Sequence, residues 1–462
     1  MLRRVVKPFG SVLLAGMHRN FFENARLWEG RSPKAGGGFV FPPFLFSEAV
    51  HEEHMTRFSR LIESIGQQRD KVIEYQTRMT ELPALGPENG GTGEMPKALY
   101  LEGLLRELGV TDILRIDAPD PRVPDGVRPN VVARIPGASP RRLGILGHMD
   151  GVPPGELSYW KTDPWKVVVD GDKIRGRGVE DNQQAIVCGL LIAQELKAQG
   201  ITPDLSLGLI FVSDEETSSR YGIHYILKTH ADLFGPDDFV VVPDYGVADG
   251  SSIEISEKGQ LWMRVEVLGH QCHASRPQEG RNSLVAAADM ILHVRDLESI
   301  YAQVDPLFQP PCCTFVPTRH EENVPNINSL PGKDVFYIDC RILPGISHDD
   351  VLASAREIME AVAERHGVTV DITTVTNAPA SPATPPDSEV VLRLSAGIRE
   401  IYGIEPHCDG SGGGTVAVGF RDMGIPAAVW ASVVPTYHLA NEYSLISRTI
   451  GDAQVLARML FD

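Results

Sequence analysis

The feature that most constrains this chain is where its apolar runs stop. From residue 130 onward, strand-like and helix-like runs alternate, and the strand-like runs end in acids or histidine. RRLGILGHMD (141–150) closes on His148 and Asp150. LSLGLIFVSDEE (205–216) closes on Glu215 and Glu216, and FVVVPDYG (239–246) turns at Asp244. Between the first two, DNQQAIVCGLLIAQELKAQG (181–200) reads as a helix that begins after Asp181 and ends at Gly200. Such alternation implies crossover helices on a largely parallel sheet. Ligands of open α/β sheets bind outside the carboxyl ends of the strands. His438, in PTYHLANE (435–442), follows the late strand PAAVWAS and joins the same edge.

A second block has a different rhythm. LWMRVEVLG, NSLVAAADMILHVRDLESIY, CCTFVPT, DVFYIDCRILP, HDDVLASAREIMEAVAERHG and VTVDITTVT read β-α-β-β-α-β, the ferredoxin-like order. A proline-rich linker, PASPATPPD, then leads back to a helix, a glycine loop (410–414), a strand and a final helix. The expected fold is α/β: a mostly parallel-sheet domain, 55–258 plus 377–462, with an α+β domain, 259–376, inserted in it. Residues 1–54 pair a basic, apolar start with the Gly/Pro-rich RSPKAGGGFVFPPF. They are expected to be a disordered extension or a mis-assigned start, with one helical pattern over 55–82 opening the folded part.

Charge and cysteine content narrow the partners. Lysine and arginine number 43 against 61 acids, a net −18. Nucleic-acid binding needs a broad positive field, which this composition lacks. No apolar run reaches the ~18 residues of a membrane span, so neither nucleic acid nor membrane is an expected partner. The six cysteines are too sparse for a disulfide scaffold and form no CxxC pair. They fit a reducing compartment, hence an expected cytoplasmic location.

Acids crowded on one edge repel one another unless a cation is present. Two imidazoles with several carboxylates suit zinc, cobalt or manganese. One shared carboxylate can bridge two ions about 3.5–4 Å apart. Other chemistries fit less well. No Gly-Lys-Ser/Thr follows the glycine loop, so it is not a P-loop. No GxSxG elbow occurs. Cys272 stands beside His273, but neighbours on a strand point apart and cannot form an activating hydrogen bond.

At these residues the sequence resembles the M20 family of metallopeptidases and amidohydrolases. The matches are GHMDGVPPG (147–155), GRGVEDNQQ (176–184), SDEETSS (213–219), PDYG (243–246), HASRPQEGRNS (273–283) and HLANE (438–442), in family order. The resemblance implies a di-metal catalytic domain with an inserted lid. It implies that His148, Asp181 and Asp244 hold one ion, and Asp181, Glu216 and His438 the other. Asp150 would orient His148, and Glu215 would be the general base. A cis peptide is implied at Asp181–Asn182. From the lid, His273 would bind the oxyanion across a homodimer, Asn328 would contact substrate, and Arg341 would clamp a substrate carboxylate.

The chain departs from the family pattern after Asp181. Asn182, Gln183 and Gln184 stand where many members have Met-Lys or Gly-Lys. Asp244 stands where deacetylases and desuccinylases of the group often place Glu, and peptidase-like members Asp. The expected function is metal-dependent hydrolysis of an N-acyl amino acid, with Glu215 activating a bridging water between two divalent ions, zinc foremost. A di- or carboxypeptidase on short peptides is the alternative. A metal-bound binding protein without turnover is the remote one.

Overall fold

Two sheets, one mostly parallel and one antiparallel, emerge from these two rhythms. The structure is a computed structural model and describes residues 57–462; the extension expected over 1–54 lies outside the described residues. Strands β1 (Asp112–Pro119), β2 (Val127–Ile135), β3 (Arg142–His148), β4 (Ser206–Val212), β5 (Phe239–Val242) and β6 (Ser252–Glu257) come first. Strands β7 (Gly259–Leu268), β8 (Thr314–His320), β9 (Lys333–Ile342) and β10 (Thr369–Ala378) follow. Strands β11 (His407–Ser411) and β12 (Ala427–Val429) then return to the first sheet. Among the described residues, that sheet runs β1-β2-β4-β3-β5-β12-β6-β11. Its centre, β4-β3-β5-β12, is parallel. The β1 and β2 edge is antiparallel.

Helices α1 (Arg69–Thr80), α2 (Met95–Glu107), α3 (Gln183–Gln199), α4 (Ile223–Thr229), α5 (Ser283–His293), α6 (His348–His366), α7 (Glu389–Tyr402) and α8 (Ile446–Arg458) cover the sheets. The central strands are apolar throughout because both faces are buried. Leu207, Leu209 and Phe211 of β4 face one core with Ile186 and Leu190 of α3 and Leu456 of α8. Ile210 and Val212 face another, with Ile223 and Ile226 of α4.

The antiparallel sheet runs β8-β9-β7-β10 and is ferredoxin-like, as expected. Leu261, Met263, Val265 and Val267 alternate inward against Met290 of α5 and Val351, Ala355 and Met359 of α6. On its other face Trp262, Val316 and Val375 are exposed. Helix α6 starts at Ser347, whose hydroxyl accepts the Asp350 N–H, and ends at Gly367 in the left-handed region.

Two helical expectations need correction. The single helix over 55–82 is two: residues 57–66, then α1 after a break at Gln67–Gln68. Gly66 sits at that break, and glycine is a poor helix former. The run after Asn282 also divides, into α5 and a short helix Asp296–Ile300. Among the described residues no helix is long and apolar enough to cross a membrane.

The segment leaving β5 is locked to the neighbouring strand. The Ala431 N–H donates to the Tyr245 carbonyl at 3.0 Å. A Cβ on Gly246 would collide with the Ala431 carbonyl oxygen. Gly246→Ala is therefore expected to cost about 1–3 kcal/mol, the usual penalty of overpacking. The check is a lower urea midpoint at unchanged slope. An unchanged midpoint would show that the contact yields without cost.

Candidate metal centre and active site

Strands β4, β3 and β5 are neighbours, so the turns leaving them meet above one sheet edge. His148 is the buried last residue of β3. Its Nε2 lies 2.9 Å from Oδ1 of Asp181 and 3.6 Å from Oδ1 of Asp244. The other oxygen of Asp181, Oδ2, lies 3.2 Å from Nε2 of His438. That nitrogen is 3.0 Å from Oε2 of Glu216. Ligand atoms of His148, Asp181 and Asp244 all fall within 4.8 Å of one another, as do those of Asp181, Glu216 and His438. Each trio could hold one cation, and Asp181 is common to both.

The electrostatics of the cluster favour positive charge. Burial pushes the His148 pKa down, but Asp150, Asp181 and Asp244 together raise it well above the usual range. Asp181 and Glu216 push His438 up to about 10. Burial works to raise Asp181, yet the two imidazoles pull it below its ordinary value. Burial lifts Glu216 to about 7 against the pull of His438. Glu215 is driven well up by burial and then by the charge of Asp244. A field that raises both imidazoles in this way also attracts dications. Oε1 of Glu216 is buried without a hydrogen-bond partner, which leaves it free to ligate. A set of two imidazoles and three carboxylates fits zinc, cobalt or manganese.

Backbone and amide contacts hold the ligands in place. Asp150 accepts the Glu215 N–H on Oδ1 and the Glu216 N–H on Oδ2, both at 3.1 Å. Its Oδ1 is also 3.4 Å from Nδ1 of His148, so one carboxylate joins the β3 end to the β4 turn. That turn contains Asp214 at φ 65°. The Asp214 carboxylate accepts from Thr217, Ser218 and the Tyr221 N–H. Buried Arg128, gripped in bidentate fashion by Glu94, lies 3.7 Å from Asp214.

Two positioning residues escaped the sequence reading. Asn182 accepts the His148 N–H at 3.1 Å and donates to Oδ1 of Asp244 at 2.8 Å. It thus spans two ligands, and nothing in the motif signalled it. The peptide before it, Asp181–Asn182, is cis, as the resemblance implied. Glu442 accepts the N–H groups of Gly178, Glu180 and Asp181 on one oxygen, at 2.9–3.2 Å. Its other oxygen takes Arg177 at 2.6 Å. Since Glu442 follows His438 by four residues, it fastens the loops of both ligands together. Its place in HLANE was the available signal.

The lid residues lie elsewhere. His273 is exposed, with Nδ1 2.8 Å from the Ser275 hydroxyl, on a two-residue strand paired with Ser329–Leu330. Asn328 is beside it, its carbonyl accepting the Ala274 N–H. Neither lines the cleft of its own chain. That cleft, of about 290 Å³, is walled by the acids above, Tyr245, Tyr437, Glu254 and residues 411–415. Arg341 donates to both oxygens of Asp339, at 2.7 and 3.1 Å, and to the Gly412 carbonyl at 2.9 Å. It therefore touches the glycine loop. Cys272 faces the carbonyls of His273 and Arg276, not the imidazole.

Residues 144–462 match the profile of Peptidase family M20/M25/M40. The chain belongs to that family. An uncharacterized metallohydrolase of Methanococcus maripaludis is 34% identical over 415 residues, covering 85% of this chain and 99% of that protein. A succinyl-diaminopimelate desuccinylase of Gluconobacter oxydans is 28% identical over 318 residues, covering 68% and 79%. Among solved structures, a dipeptidase of Saccharomyces cerevisiae superposes with TM-score 0.68 at 16% identity, over 87% of this chain and 98% of that one. A tripeptidase of Staphylococcus aureus gives 0.68 at 19%, over 85% and 97%. The M20 protein is thus a metal-dependent hydrolase of amide or peptide bonds.

If Asn182 fixes His148 and Asp244, Asn182→Ala should leave the fold intact and weaken metal retention. A loss of about 10–100-fold in affinity is typical for partners of metal ligands. Metal left after dialysis against graded chelator measures it. Parental retention would show that the ligands hold their places unaided.

Proposed function

We propose that this M20 enzyme hydrolyses the amide bond of an N-acyl amino acid with a free carboxylate. The reading rests on one observation above all. Asp181 offers one oxygen toward His148 and the other toward His438, as a bridging ligand must. His148, Asp181 and Asp244 would hold one divalent cation, and Asp181, Glu216 and His438 the second, zinc first and cobalt or manganese as alternatives. Cations held there would polarise the scissile carbonyl and acidify water.

The chain's own residues supply the proton traffic. Glu215 accepts a proton from the attacking water as the oxygen–carbon bond forms. It returns that proton to the amine nitrogen as the carbon–nitrogen bond breaks. Its desolvated position strengthens it as a base, because a raised pKa makes the carboxylate take the water's proton more readily. Asp150 keeps Glu215 in place through the backbone N–H. His273 stabilises the oxyanion by donating a hydrogen bond. Because His273 is exposed and outside its own cleft, it serves the site of a partner copy, with Asn328 beside it. Arg341 clamps the substrate carboxylate. Asp339 and Gly412 do not exhaust its five N–H donors.

The desuccinylase name among the relatives supports an N-acyl substrate. A second reading, a di- or carboxypeptidase, is favoured by Asp244, the shorter acid that peptidase-like members place there. A binding protein without turnover is disfavoured, because the base and all five ligands are present. The six unpaired cysteines support a cytoplasmic location.

Glu215→Ala is expected to keep its metal and lose about 10²–10⁴-fold in turnover. Amine release from N-acetyl and N-succinyl amino acids, beside dipeptides, measures it. An active variant would sink the assigned mechanism. His273→Ala should also be nearly inactive. Mixing it with Glu215→Ala should restore part of the activity, through dimers that pair an intact base with an intact lid histidine. No recovery after subunit exchange would exclude a shared site.

A further inference from the structure

The titratable side chains lining the cleft are acids, two tyrosines and His438, and among the described residues no lysine or arginine lines it. Four of the acids, Asp181, Glu215, Glu216 and Asp244, belong to the metal centre. Glu254 does not. It lies on β6 and is fully buried, yet it forms part of the cleft wall. Its Oε1 is 3.4 Å from Nη2 of Arg421, and its Oε2 has no hydrogen-bond partner.

Among the described residues, none donates a hydrogen bond to that oxygen. Arg421 is shared, with Nη1 3.3 Å from Glu257. Glu257 in turn accepts the N–H and O–H of Thr415, at 2.8 and 2.7 Å. The Ser411 hydroxyl donates to the Gly413 carbonyl. Two carboxylates facing one guanidinium would carry one surplus negative charge if both were ionised, which is costly when buried, so a proton or a ligand's cation must offset it. Burial pushes both acids upward, and for Glu254 the charge of Glu257 adds to it. The space alongside is open. A Cβ on Gly412 or Gly413 would meet nothing within 4 Å.

We propose that Glu254 is an amine-recognition residue, which binds a protonated amino group on the substrate beside the glycine loop. The inference rests on the reading of the cleft as an amide hydrolase site and names the substrate class within it. An ammonium supplies the missing charge and the missing donor at once, as a charge-assisted hydrogen bond. Two sources share this chemistry. One is the free α-amine of a short peptide. The other is the side-chain amine of an N-acylated diamino acid.

Calorimetry on the metal-loaded, full-length Glu215→Gln protein separates them. The first pair of probes is L-alanyl-L-alanine and N-propionyl-L-alanine, which differ by the α-amine. The second is Nα-acetyl-L-lysine and Nα-acetyl-L-norleucine, which differ by the side-chain amine. The ammonium-bearing member of one pair should bind about tenfold tighter or better, the usual worth of a hydrogen bond to a charged group. Adding Glu254→Gln should abolish that advantage, and Glu254→Asp should keep part of it. Glu254→Gln leaves Arg421 paired one to one with Glu257, and the comparison within each pair does not need the variant. Equal binding within both pairs, no binding of any probe, or an advantage that survives Glu254→Gln would overturn the proposal. Turnover of the same compounds by the Glu215 enzyme is read separately. An ammonium preference without turnover would leave the amine site standing and sink the hydrolase reading. Turnover without a preference would do the reverse.

Discussion

Carboxylate repulsion at one sheet edge is the constraint to which the rest of this molecule answers. Asp150, Asp181, Glu215, Glu216 and Asp244 converge where β3, β4 and β5 end. At contact distances in a partly dry site, such a group disfavours joint ionisation. The fold meets the difficulty at three depths. Two imidazoles face the cluster directly. Backbone N–H groups and the Asn182 amide engage its individual carboxylates. Buried cationic side chains stand behind it.

The third depth explains several otherwise expensive residues. Arg128 is fully buried among Glu94, Asp120 and Asp214. Lys97 is buried as well and donates to the Met149 carbonyl at 2.8 Å. Burial pulls its pKa down to about 8, while Asp150 and Glu94 work to hold its charge. Arg177 pairs with Glu442 in full burial. Isolated buried pairs of this kind add little to stability, because desolvation offsets their attraction. Their value here is positional. Each contacts a loop that carries a candidate ligand or the proposed base, against the repulsion of the carboxylates there.

How much of this was legible in the sequence depended on what each residue does. His148, Glu215, Glu216 and Asp244 were legible as candidates because apolar strand runs end at them, Asp181 because it precedes an apolar helical run, and His438 because it follows a late strand. The lid could be found because its helices and strands keep their periods. Strand β6 could not. SIEISE alternates polar and apolar residues like a half-exposed strand, yet all six positions are buried. Its two acids share Arg421, far along the chain, and no local pattern records that. Strand β11 was hidden for another reason: its Gly410 opens a glycine run that reads as loop. Asn182 was invisible for a third reason. Its two contacts are hydrogen bonds made through tertiary structure, and an amide after an acid suggests only a polar pocket.

These cases bear on how substrate choice is divided from catalysis. Aspartate and glutamate at position 244 differ in reach by one methylene and carry the same charge. A metal ligand of either kind is neutralised by its cation, so it offers a substrate little to recognise. Glu254 differs on each count. It is outside both trios, its guanidinium partner is shared, and it borders the space that the glycine loop leaves open. Arg341 reaches the same loop from the lid. On the proposed reading, hydrolysis belongs to the sheet edge, where the candidate ligands are tied to neighbouring strands and loops. On the same reading, discrimination belongs to the wall around residues 411–415, where Arg341 meets the glycine loop and Glu254 borders the open space.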